Sequence, residues 1–143
     1  MKAKEFLQQV KKLDKMIENK LIEVEQWKAI ASNNVAEMSG ERVKSSGNPQ
    51  KMADAIAKYV DLEKEINHCI DDLIETKKGV ISVIEQLNAT EYDMLHKIYI
   101  QNIPLYDVAE MYDRTYSWAT TIHGRALKHV QIIIDKRAES VSV

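Results

Sequence analysis

The chain has 143 residues, 29% of them charged and 45% hydrophobic, with a formal net charge of −2. That balance excludes a disordered chain. The lack of any apolar run of about 18 residues excludes a membrane span. Residues Met1–Phe6 lack the apolar core of a secretion signal, so a cytoplasmic location is expected.

Four glycines and two prolines in the whole sequence, against many Glu, Lys, Ala, Leu and Ile, predict an all-α fold built on long helices. The first helix is expected over about Lys2–Glu37, with Phe6, Val10, Leu13, Ile17, Leu21, Val24 and Trp27 or Lys28 recurring at spacings of three and four. Glycine and serine then cluster at Ser39-Gly40 and at Ser45–Pro49. A loop is expected at 39–49, with Arg42-Val43-Lys44 exposed and Asn48-Pro49 opening the next helix as N-cap and first helical residue.

The second helix carries a heptad seam at Met52, Ile56, Tyr59, Ile66, Ile70, Leu73, Val80, Ile84 and Leu87, interrupted by Glu63 and Lys77. Its simplest partner is the first helix, folded back as an antiparallel hairpin over residues 1–87. Pairing between two copies in a homodimer uses the same seam and stays open. The single cysteine, Cys69, reads as a small apolar residue beside this seam rather than a reactive thiol, and it can form no disulfide within the chain.

Asn88-Ala89-Thr90 breaks the run, and Thr90 with Asp93 resembles a capping box. A helix over about Glu91–Gln101 follows, with Met94, Leu95, Ile98 and Tyr99 on one face, ended by Ile103-Pro104. A short helix at Leu105–Tyr112, a corner at Asp113-Arg114-Thr115 and a final helix from Tyr116 or Ser117 to about Lys136 complete an 88–137 domain. Thr115 is its expected cap, and 138–143 a disordered tail.

Charge is unevenly placed. Residues 85–113 carry one lysine against six acids, whereas 114–137 carry Arg114, Arg125, Lys128, Lys136 and Arg137 against Asp135 alone. A short helix, a corner and a basic helix form the pattern of a helix-turn-helix, whose second helix enters the DNA major groove. Val108, Ala109 and Tyr112 are expected to pack on Ala119, Ile122, Ala126 and Leu127. The opposite face would then meet double-stranded DNA. Tyr116, Ser117, Thr120 and Thr121 lie near base edges, where short hydroxyl side chains can donate, accept or offer a methyl to thymine. Arg114, Arg125 and Lys128 are placed to clasp phosphates. Gly124 fits a close backbone approach to DNA or to a neighbouring helix. Trp118 is read as packing against the preceding helices. The four histidines and Cys69 do not converge as metal ligands, and no nucleophile or phosphate-loop signature is present. Catalytic residues, metal, cofactor and small-molecule substrate are therefore not expected.

Tyr99, Val108-Ala109, Thr115 and Arg125-Ala126-Leu127 match a pattern that resembles region 4 of bacterial sigma factors, over about residues 85–134. Asp113 stands where the corner usually has glycine, Arg114 at a usually apolar position and Pro104 at a usual Ser/Thr cap. The long helical first half, Val43–Pro49 before Ile56–Ile66, and the sigma-like tail together resemble the small RinA/ArpU-like phage regulators of late transcription. That resemblance implies a phage or prophage origin, a role in transcription and a bacterial host cell, with host RNA polymerase as a candidate partner. The competing reading is a DNA-packaging protein of the small-terminase kind, or a helical structural protein.

Overall fold

The structure, a computed structural model, describes residues 1–39 and 49–141. Every regular element among them is helical: α1 (Ala3–Ser39), α2 (Pro49–Ile84), α3 (Ala89–Leu95), a π turn (His96–Ile100), α4 (Leu105–Met111) and α5 (Tyr116–Val141). The Gly40–Asn48 part of the expected loop, including the Asn48 cap, lies outside the described residues. No helix among them is long and apolar enough to cross a membrane.

Packing divides the chain into two units. One is Leu13–Asp72; the other joins Met1–Lys12 to Leu73–Val143. This differs from the boundary predicted at 87/88, because the ends of the two long helices pack with the C-terminal elements. Ala3, Leu7 and Val10 of α1 form one buried cluster with Val80, Val83 and Ile84 of α2, Leu95, Tyr99, and Ala126 and Val130 of α5. The start of the chain is also pinned to α5 by polar bonds. The Ala3 amide donates to Gln131 Oε1 (2.7 Å), and Gln131 Nε2 donates to the Met1 carbonyl (3.1 Å).

In the Leu13–Asp72 unit, Lys20 pairs with Glu65 at 2.8 Å and Lys28 with Glu63 at 3.5 Å. The expected line on α1 holds except at Leu21. Leu21 is 50% exposed, and the side chain of Lys20 is only 23% exposed, its stem lying along the apolar face while its ammonium reaches Glu65. On α2 the expected Met52, Ile56, Tyr59, Ile66, Leu73, Val80, Ile84 and Leu87 are all buried or half-buried, and Ala55, Leu62, Cys69, Thr76 and Val83 join them. Glu63 and Lys77 therefore interrupt nothing, since Leu62 and Thr76 keep the three-four spacing. Cys69 is buried in this line, and Ile70, expected there, is exposed.

The helix expected over Glu91–Gln101 starts and ends differently. Its N-cap is Asn88, whose side chain accepts from the Glu91 amide at 2.9 Å, not Thr90. Its second half widens into the π turn, where the Gln101 amide donates to the His96 carbonyl five residues back. Asn102 (φ 60°) then reverses the chain, and Pro104 opens α4 without a side-chain cap bond. α5 continues to Val141, so residues 138–141 extend the helix where a disordered tail was expected.

Candidate nucleic-acid interface

The corner between α4 and α5 is closed by backbone chemistry that the sequence supplies without glycine. Asp113 adopts φ 55°, a left-handed conformation that aspartate tolerates. The Asp113 amide donates to the Glu110 carbonyl and the Arg114 amide to the Ala109 carbonyl, both at 3.0 Å. This pair of bonds is the Schellman closure of a helix end. Two residues on, Thr115 Oγ1 accepts from the Trp118 amide at 3.0 Å and caps α5, as its position predicted.

Packing fixes which face of α5 is left outward. Val108, Ala109 and Ala119 are buried with Met94, and Ile122, Trp118 and Tyr112 pack against them. Ala126 and Val130 are buried further along α5. Ser117, Thr121, Gly124 and Lys128, at spacings of four and three, form a row on the opposite side. Arg114, Tyr116, Ser117, Thr120, Thr121, Arg125 and Lys128 are all exposed. Among the described residues, none of Arg114, Arg125 and Lys128 has a carboxylate partner. A Cβ on Gly124 would meet nothing within 4 Å, so no neighbouring helix requires this glycine.

The hydroxyls on this face are not equivalent. Thr120 Oγ1 donates to the Tyr116 carbonyl at 2.9 Å and Thr121 Oγ1 to the Ser117 carbonyl at 3.0 Å. Tyr106, which the sequence did not single out, lies beside Tyr116 with ring centroids 6.2 Å apart, and both rings are exposed.

Trp118 packs as expected and has a second contact. Its ring is tilted against Tyr112 (centroids 5.4 Å), and the Arg114 guanidinium lies over it at 5.3 Å. Stacking restricts the guanidinium before any ligand arrives. Tyr112 in turn donates its phenol proton to the Asp93 carboxylate, which also takes Lys97 Nζ at 2.7 Å. The hydrogen bonds from Lys97 and Tyr112 hold the Asp93 carboxyl below the usual carboxylate range, while burial and Asp93 push the Tyr112 phenol well above its ordinary value.

Two of the four histidines join α5 to the α3 region. His129 Nδ1 is 2.7 Å from Glu91 Oε1, and Glu91 is only 4% exposed. His123 Nε2 is 2.8 Å from the Tyr99 hydroxyl. Burial lowers the His123 pKa, with a smaller contribution from Lys4, and pushes the Tyr99 phenol up to about 12. Periodicity marks which residues face inward but not which polar atoms meet across helices, so these pairs were invisible in the sequence. Among the described residues no group of His, Cys, Asp and Glu could hold a metal ion. Compared with protein-family models, curated proteins and solved structures, the chain matches none.

Proposed function

We propose that the exposed face of α5 binds double-stranded DNA and that the protein is a sequence-specific transcription regulator of phage or prophage origin. In this reading α4, the corner and α5 form a sigma-region-4-like helix-turn-helix, with the first turns of α5 in the major groove. Residues 1–87 act as a coiled-coil-like hairpin for dimerisation or contact with host RNA polymerase. The observation that carries the reading is the sorting of α5. One face is locked into the core by Ala119, Ala126 and Val130, and the other gathers short hydroxyl side chains with cations that lack carboxylate partners.

The roles divide by chemistry. Arg114, Arg125 and Lys128 supply phosphate contacts and hence affinity for any sequence, while Tyr116, Ser117, Thr120 and Thr121 face base edges. Binding to random duplex, followed by anisotropy across a salt series, tests this directly. The double substitution Arg125→Ala, Lys128→Ala should weaken binding to every sequence and lower the slope of log K against log salt by about 2. Wild-type binding and slope in the double variant would remove the assignment. An assembly of eight or more copies in solution would favour the packaging reading instead.

A further inference from the structure

Thr120 and Thr121 are exposed neighbours on the outward side of α5, one turn from its start. A threonine hydroxyl has one proton to donate. In both residues that proton is directed to a carbonyl of the helix itself, Tyr116 O at 2.9 Å and Ser117 O at 3.0 Å. This local bond turns the oxygen back along the helix. What each side chain keeps for a ligand is its methyl group and the acceptor lone pairs of an oxygen turned back along the helix; it has no donor left. Ser117, by contrast, has no hydrogen-bond partner for its hydroxyl among the described residues, so donor chemistry on this face belongs to it.

In the major groove the four base pairs differ in their hydrogen-bonding atoms and in one apolar group, the C5 methyl of thymine. Building on the DNA-binding reading above, we infer that Thr120 and Thr121 are specificity-determining residues that recognise thymine through methyl–methyl contact. Hydrogen bonds from their hydroxyls to base edges play no part. Their adjacency presents two methyls on successive residues of one helix, so the preferred site contains thymine at the positions beneath them. The Tyr116 and Ser117 carbonyls, which already serve the helix, gain a second bond that holds the threonine rotamers in place.

The experiment uses the full chain. Sites are first selected from random duplex at fixed salt, and each thymine of the enriched site is then replaced in turn by deoxyuridine, which removes the methyl and leaves every hydrogen-bonding atom. At the positions read by Thr120 and Thr121 the replacement should weaken binding about fourfold per methyl. Thr120→Val keeps the methyl, loses the hydroxyl and should bind within about twofold of wild type, whereas Thr120→Ser should lose about fourfold and no longer distinguish thymine from uracil. Deoxyuridine tolerated at every position, or Thr120→Val as weak as Thr120→Ser, would overturn the inference while leaving DNA binding intact. Failure to enrich any site would remove the DNA-binding reading itself and this inference with it.

Discussion

The two packing units are built from the same kind of helix and hold themselves together by different means. In Leu13–Asp72 the buried apolar residues among those described are Val24, Ala31, Ala55, Ile66 and Cys69, and only Ala55 is fully buried. Two helical segments can enclose only a line, so large side chains such as Leu21 and Ile22 stay exposed, and ion pairs edge the seam. In the other unit several elements meet, and Leu7, Ile84, Met94, Leu95 and Val130 are fully buried. There, polar links such as Tyr112–Asp93 and Tyr99–His123 lie partly inside the packing. The number of elements that converge, more than composition, decides whether a helical surface becomes a core.

Four measurements bear on that contrast. The largest expected effect is Leu95→Ala, which should cost about 3 kcal/mol in urea unfolding, against less than about 2 kcal/mol for Ile66→Ala in the seam. Equal losses would erase the distinction. Tyr112→Phe should come next, at about 1–2 kcal/mol, because it leaves a partly buried carboxylate one partner short; a loss no larger than that of an exposed tyrosine would mean the Asp93 link is idle. The third effect depends on pH. Because the folded state lowers the His123 pKa, the neutral ring is the favoured form, and this stability is complete above about 6.5. It is lost as pH falls through the lower folded value. His123→Gln should therefore flatten the decline in urea midpoint between about pH 7 and pH 5 relative to wild type. A decline as steep in the variant would assign the pH response elsewhere. The smallest effect belongs to the seam: Lys28→Ala should cost under about 0.5 kcal/mol and less still at high salt, since its pairing with Glu63 is exposed.

Much of this fold was legible in the sequence because apolar spacing reports burial directly. Val108, Ala109, Ala119 and Ala126 are buried as their spacing predicted, Thr115 caps α5, and the seven residues proposed to face DNA are exposed. The seam was misread at two positions, Leu21 and Ile70, which are more hydrophobic than the half-buried Lys20 and buried Cys69 beside them. Hydropathy ranks residues singly, whereas the heptad selects them by angle. The π turn left no mark, since His96–Ile100 differs from an α-helix only in its hydrogen bonding. The left-handed Asp113 was readable from corner chemistry, while the Asn88 cap was missed because Thr90 offers a similar signal.

The bonds from Gln131 to Met1 and Ala3 join residues 130 and 128 positions apart. On the ribosome Met1 and Ala3 emerge well before Gln131. The unit they belong to cannot close until α5 has been synthesised, long after the intervening Leu13–Asp72 segment has left the exit tunnel. During that interval Ala3, Leu7 and Val10 lack the α5 part of their cluster, Ala126 and Val130. The packing of Met1–Lys12 is thus complete only once the segment proposed to bind DNA exists.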